Sequence, residues 1–250
     1  MKPRIRIDRL LTERGLAESR QKAQAFVMAG QVLADEQKVT KPGQQVAPEA
    51  EIRILGPAPK YVSRAGVKLE SALEKFELSV QDKVCLDVGS STGGFTDCLL
   101  QHGAAKVYAV DVGTAQLHWK IRQDERVIVR ERVNARYLNS EVVPEPIQFV
   151  CCDVSFISVT LIFPAIRPLL TADADLVVLA KPQFEVGRGQ VGKGGIVEDP
   201  ELHRQVTEKV RNALRQIGFR RVDEMESPIR GAEGNKEFLL HGSGLVNRDD

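Results

Sequence analysis

The chain has only four cysteines, Cys85, Cys98, Cys151 and Cys152. None forms a CxxC pair or stands near a histidine cluster, so the spacing points to neither a zinc site nor a disulfide framework. Reduced thiols of a cytoplasmic protein are the plain expectation. Behind the charged start Met-Lys-Pro-Arg-Ile-Arg there is no apolar stretch, so no secretory signal is expected. An uninterrupted apolar span is also missing. Residues 149–166 are long enough to cross a bilayer, but they include Asp153, Ser155, Ser158, Thr160 and Pro164, and a carboxylate in mid-membrane is costly. This segment reads instead as a buried strand running into a helix. With no cationic amphipathic helix either, no membrane partner is expected. Internal repeats and low-complexity segments are absent. The GxGxxG and GK[ST] spacings are absent too, which disfavours nucleotide-phosphate chemistry.

What is present is the composition of a globular chain: 250 residues, 42% hydrophobic and 28% charged. That length allows a sizeable core and a small accessory domain. The net charge of +1 conceals an asymmetry. Residues 1–60 carry 11 basic and 7 acidic side chains, whereas the remainder carries 24 and 27. A basic front module ahead of a mildly acidic body suggests that the front end meets a polyanion.

In residues 6–14, Ile7, Leu10 and Leu11 share a helical face and Gly15 is a natural stop. Ser19 can cap a second helix whose apolar side is Ala23, Phe26 and Val27, with Gly30 at its end. Short strands are expected at 31–35 and 45–46, with Lys41-Pro42-Gly43 turning between them. The pattern RLLTERGLAESRQKAQAFVMAGQV…KPGQQV resembles the S4 RNA-binding domain over nearly all of residues 4–55. The resemblance implies that Arg4, Arg6, Arg9, Arg20, Lys22 and Lys41 face folded RNA. A solvated helix face is the competing reading for such charges. Phosphate contacts of this kind give affinity rather than choice of nucleotide. Gly56-Pro57-Ala58-Pro59-Lys60 reads as a short semi-rigid linker, so the expected domains are 1–59 and 60–250.

Beyond the linker, strands and helices alternate. Strands are expected at 84–88, 106–111, 127–131, 149–153 and 176–180, which predicts an α/β fold with a parallel sheet and helices on both faces. Asp199-Pro200-Glu201 starts a helix, with Leu202, Val206, Val210, Ala213, Leu214 and Ile217 at helical spacing until Gly218. Strands near 221–225 and 237–241 would close the sheet, the last of them antiparallel.

The sharpest signal lies at residues 84–97, where a hydrophobic strand enters a glycine-rich turn and leaves as a helix. Gly89, Ser90, Gly93, Gly94 and Phe95 would bring backbone N–H groups close to a ligand. Asp87 at the strand end would repel a pyrophosphate but suits a ligand bearing an ammonium group and a sulfonium. Asp111, at the end of the next strand, can accept from both hydroxyls of a ribose, and Asn134 could meet an adenine. Together these residues resemble the S-adenosylmethionine site of the Rossmann-like class I methyltransferases. Helix caps or surface acids remain the alternative for Asp87 and Asp111.

Lys68, Asp153, Lys181 and Glu237 lie far apart in sequence. Lys68 stands at the rim of the apolar stripe formed by Ala65, Leu69, Ala72, Leu73 and Phe76, and Asp153 and Lys181 end strands where ligands of open sheets bind. The segments SRAGVKL, DVGSSTGGFTD, CDVSFIS, AKPQFEVGRGQVGKGG and SPIRGAEGNKEF resemble the TlyA/hemolysin-A family, whose catalytic domain is similar to the FtsJ-type ribose 2′-O-methyltransferases. Ala65 departs from this pattern, since the family often has a second glycine there. The resemblance implies a Lys-Asp-Lys-Glu tetrad on those four residues, S-adenosylmethionine as cofactor with no metal, and ribosomal RNA or ribosomal subunits as partner, with cytidine as the usual target. A ribose hydroxyl is a poor nucleophile, so a positioned base must remove its proton during transfer. Lys181 is the candidate, with Asp153 orienting it and Glu237 holding the geometry. Two ordinary buried ion pairs, Asp153–Lys181 and Lys68–Glu237, are the bland alternative. In the glycine-rich run 187–195, Arg188 and Lys193 could grip phosphate from a mobile loop, or the run could be a plain surface loop. At the level of the whole chain, the competing readings are an S4-containing ribosome assembly factor without activity and, less fitting, a membrane-active hemolysin.

Overall fold

The computed structural model describes residues 4–56, 60–231 and 233–246. The chain divides into two compact units, Met1–Gly66 and Val67–Asp250. Of the expected linker, Pro57, Ala58 and Pro59 lie outside the described residues.

The first unit runs β1 (Ile5–Arg6), α1 (Ile7–Glu13), α2 (Arg20–Met28), β2 (Val32–Ala34), β3 (Gln37–Lys38), β4 (Gln45–Val46) and β5 (Ile52–Ile54). The Ser19 hydroxyl accepts from the Lys22 amide at 3.2 Å, which opens α2, and Gly30 leaves it at φ +71°. Here a left-handed residue is needed to turn the chain, and glycine takes that conformation at little steric cost. β1 pairs with β4, and β3-β2-β5 form a second small antiparallel sheet. Ile7, Leu10, Leu11, Phe26, Val27 and Val32 belong to a small core. Each fully buried side chain of this size contributes about 1.5–3 kcal/mol against its exposed state.

The second unit continues with α3 (Ala65–Lys75), β6 (Val84–Val88), α4 (Gly94–Gln101), β7 (Lys106–Val110), α5 (Trp119–Arg122), β8 (Val127–Arg130), β9 (Ile147–Cys152), α6 (Phe163–Ile166), β10 (Leu170–Ala180), α7 (Pro182–Glu185), α8 (Pro200–Gln216), β11 (Phe219–Glu226) and β12 (Phe238–Leu245). Seven strands form one sheet in the order β11-β12-β10-β9-β6-β7-β8. Its middle is parallel, as the alternation requires, but β12 runs antiparallel to both β10 and β11. The mixed edge follows from the chain path: β11 and β12 are joined by a short connection, which permits only antiparallel neighbours, whereas the parallel strands are separated by helical crossovers. β9 and most of β10 are buried, so their sequences read as continuous apolar runs. Asp199 accepts from the Glu201 amide at 2.8 Å, with Pro200 in the first turn of α8, and Val206, Val210 and Leu214 of that helix join Phe219 and Val222 in the main core. All four cysteines are free and buried. Burial pushes the Cys85 thiol up to about 12 and the Cys151 thiol well above its usual range, which keeps them unreactive.

Candidate active site

The carboxyl ends of β6, β7, β9 and β10 meet at one edge of the sheet, and the turns leaving them carry the functional candidates. β6 is followed by Gly89 at φ +84°, where a Cβ would stand 2.3 Å from the Asp153 carbonyl oxygen. Both the left-handed backbone and the crossing of two chain segments require glycine at this position. The Gly89 and Ser90 amides donate to the Val110 carbonyl at 2.8 and 3.1 Å, which ties the turn to β7. Gly93, also left-handed, caps α4, and Gly94 begins that helix.

Beneath this turn Asp87 is fully buried. Burial pushes its carboxyl up to about 7. The Thr96 hydroxyl, donating to Oδ2 at 2.6 Å, pulls it back, while the nearby Asp153 charge raises it again. Oδ1 has no hydrogen-bond partner among the described residues. A buried carboxylate oxygen without a donor is costly unless a ligand supplies one. Asp111 lies just beyond β7 and is held by two backbone amides, Ser91 on Oδ2 at 2.8 Å and Gly113 on Oδ1 at 2.7 Å. Asn134 accepts from the Arg136 amide at 3.1 Å and caps a single helical turn.

A cleft of about 480 Å³ opens here, lined among others by Gly89, Ser91, Asp111, Asn134, Asp153 and Ser155. The sequence-derived Gly89, Asp111 and Asn134 therefore reach the cleft wall. Asp87, fully buried, is not on that wall, and Ser90, Gly93, Gly94 and Phe95 sit in the turn and helix start, Phe95 as a core side chain at 2% exposure. The sequence reading overlooked Ser91, Ser155 and Phe156. Phe156 is 92% exposed at the cleft, with φ +66°. The segment CDVSFIS held a signal for the latter two, since both follow a strand-terminal acid.

Two ion pairs stand at the same edge, Lys68–Glu237 buried and Lys181–Asp153 half-buried. Lys68 of α3 is 5% exposed and pairs with Glu237 at 2%. The stripe rim inferred for Lys68 thus lies inside the fold, because Glu237 covers it. Lys181 pairs with Asp153 and also donates to the Ser155 hydroxyl at 3.0 Å. Register explains how residues so distant in sequence meet: Ala180 faces Phe238 across β10 and β12, so Lys181 and Glu237 are the next positions in line, and Cys152 faces Val178, which brings Asp153 to the same end. Among the described residues, no group of His, Cys, Asp and Glu is arranged to hold a metal ion.

The basic candidates of the first unit divide into two sets. Arg6 donates to both oxygens of buried Asp8, at 3.0 and 2.8 Å, and Arg20 and Gln24 add bonds at 3.0 Å each. Burial alone would push the Asp8 carboxyl up, but these donors outweigh it and hold it well below the usual carboxylate range. Arg9 pairs with Glu13 at 2.6 Å, and Arg4 and Lys41 are exposed, with Lys22 half-buried. In the glycine-rich run the backbone forms two tight turns, Arg188–Gln190 and Lys193–Gly195, in place of an irregular loop. Lys193 is exposed, and the side chain of Arg188 lies outside the described set. Asn235 holds the end of the run, donating to the Gly195 carbonyl and accepting from the Val197 amide at 2.9 Å each. No helix among the described residues is long and apolar enough to cross a membrane.

Comparison with known proteins adds independent findings. Residues 61–243 match the family model of the FtsJ-like methyltransferases, and residues 5–52 match the S4 domain. The chain is 50% identical over 240 residues to YqxC of Bacillus subtilis, which carries a provisional rRNA methyltransferase name; the match covers 94% of this chain and 84% of that protein. It is 44% identical over 241 residues to the 16S/23S rRNA (cytidine-2'-O)-methyltransferase TlyA of Mycobacterium tuberculosis, covering 96% and 90%. A solved structure from Streptococcus thermophilus with a provisional hemolysin label superposes with a TM-score of 0.75 at 43% identity, covering 99% of this chain and 90% of that one.

Proposed function

The chain belongs to the FtsJ-like methyltransferase family, and from that premise we propose that it transfers a methyl group from S-adenosylmethionine to the ribose 2′-hydroxyl of a cytidine in ribosomal RNA. The observation that carries this reading is the meeting of Lys68, Asp153, Lys181 and Glu237 as two ion pairs at one sheet edge, beside the cleft that Asp111 and Asn134 line. Asp87, Asp111 and Asn134 are the residues that would hold the cofactor. The orphaned oxygen of Asp87 favours a cationic group, and Gly89 leaves backbone room where any side chain would collide. When bound, the cofactor supplies an electrophilic methyl group on a sulfonium.

Lys181, acting as the neutral amine, takes the proton from the ribose hydroxyl during methyl transfer, and the ammonium so formed is stabilised by Asp153. Asp153 orients Lys181, and Glu237 fixes Lys68 beside the reacting oxygen. The S4 domain, residues 1–59 with its linker, holds folded RNA through phosphate contacts, and residues 60–250 perform the chemistry. Lys193 and Arg188 add contacts from the glycine-rich turns. Ribosomal RNA or ribosomal subunits, in the cytoplasm, are the partner this reading implies.

The test is incubation of the full chain with isotopically labelled S-adenosylmethionine and naked rRNA or either subunit, followed by mapping of 2′-O-methyl groups. Label at a cytidine ribose is the expected result. Cofactor binding without incorporation on any of these RNAs would instead identify an RNA-binding assembly factor.

A further inference from the structure

Glu185 is a buried carboxylate to which the reaction described above gives no task. Its side chain is 1% exposed, yet it takes three donors: the Val159 amide on Oε1 at 2.7 Å, and the Ser158 hydroxyl and Lys209 ammonium on Oε2 at 2.6 and 2.8 Å. Lys209, from α8, also donates to the Glu185 backbone carbonyl at 2.8 Å. Burying a charge is expensive, and a fully satisfied buried carboxylate fixes whatever it bonds.

What it fixes is the wall of the cleft. Residues 153–159 leave β9, and Asp153, Val154, Ser155, Phe156 and Ile157 all line the cleft. Residues 181–185 leave β10, starting with Lys181. The two segments are stitched along their length: Lys181 pairs with Asp153 and donates to Ser155, the Phe184 ring lies 5.2 Å from that of Phe156, and Glu185 closes the seam on Ser158 and Val159. Phe156 takes a left-handed backbone that favours glycine, so the segment has a local conformational cost that contacts elsewhere must offset. Of the seam contacts, the Glu185 contact is the most buried, and it lies four residues along the chain from Lys181. Hydrogen bonds to a charged group are the strong ones, worth about twice neutral ones.

We infer that Glu185 is a positioning residue for methyl transfer: by clamping the loop after β9 to the loop after β10, it sets where Lys181 stands relative to the cleft wall that receives cofactor and ribose. The inference rests on the methyltransferase reading above. It adds a requirement that the tetrad pattern does not contain, namely that the tetrad lysine is placed by a buried acid four residues downstream together with the hydroxyl of Ser158.

The test uses the full chain with Glu185→Gln, Ser158→Ala, Ser158→Thr and the Glu185→Gln/Ser158→Ala double variant. Glu185→Gln keeps the shape of the side chain but loses the charge that holds Lys209 and Ser158. Ser158→Ala is the mild alternative should Glu185→Gln fold poorly. Methyl transfer to rRNA, binding of S-adenosylmethionine by calorimetry and thermal melting are measured for each. Glu185→Gln and Ser158→Ala should each lower kcat on rRNA on the order of 10-fold at temperatures well below their melting points. The double variant should be no worse than the more impaired single one, since both cut the same seam. Ser158→Thr, which keeps the hydroxyl, should retain kcat within about twofold of the parent.

Wild-type chain active on rRNA, with Glu185→Gln and Ser158→Ala both within twofold of it in kcat, overturns the inference alone. So does a loss of activity that follows only the fall in melting temperature, or losses in the double variant that multiply. A wild-type chain that transfers no methyl group to any rRNA overturns the methyltransferase reading, and this inference with it.

Discussion

Asp87 binds a proton in the folded chain that an unfolded chain has already released, because burial lifts its carboxyl from 3.8 to about 7. The folded state therefore binds more protons between these values, so the stability contributed by Asp87 is greatest below pH 4 and is lost as pH rises through 7. A cationic ligand favours the ionised form, so S-adenosylmethionine should bind more tightly as pH rises from about 5 to 7 and level off above. Calorimetric titration across that range checks this. Asp87→Asn should remove both slopes, and a persisting affinity slope would assign it to another group. At the same scale, Lys181→Ala should lower methyl transfer by about 10²–10⁴-fold, the usual contribution of a positioned base, while cofactor affinity stays within about threefold. Substantial remaining turnover would remove Lys181 from that role.

The turn after β6 is the element on which the cleft depends. Gly89→Ala would meet the Asp153 carbonyl and force a side chain into the left-handed region. The expected cost is about 2–4 kcal/mol, seen as a lower Tm together with lost cofactor binding. An unchanged Tm would mean that the turn relaxes. Elements with a single dominant signal were legible in the sequence: β6 matches its expected span, and the Ser19 and Asp199 caps start α2 and α8 as their residue types suggest. β10 starts at Leu170, six residues before the apolar run, because 171–175 alternates polar and small residues and its register shifts against β9. Asp153 and Lys181 follow β9 and β10 directly, as the apolar runs before them suggest, whereas the roles given to them and to Glu237 come from the family resemblance. Ser155 and Glu185 were not legible. What singles them out is a partner 26 or more positions away in the chain, which no local pattern encodes.

At the scale of the whole molecule, the charge asymmetry of the sequence becomes two kinds of basic residue. Arg9, Lys22 and Lys41 have no part in the Asp8 cluster, so changing all three to Gln should weaken rRNA binding with little effect on melting. The plot of log affinity against log salt should become shallower by on the order of one unit per lost phosphate contact. Filter binding over a range of salt concentrations measures the slope, and an unchanged slope would place the RNA elsewhere. Arg6 and Arg20 differ, because removing either deprives buried Asp8 of a donor. Variants there should lower the melting temperature as well as the affinity, and the two effects separate only when binding is measured well below the melting point.

The Asp8 cluster also bears on the thermodynamics of docking. Long cationic side chains ordinarily lose rotamer freedom when a polyanion orders them, whereas the guanidinium groups of Arg6 and Arg20 are already immobilised by the Asp8 carboxylate. A polyanion docking on them would meet guanidinium groups at a fixed spacing. The entropic penalty was met during folding, so association through these two residues would resemble the fit of one rigid template to another.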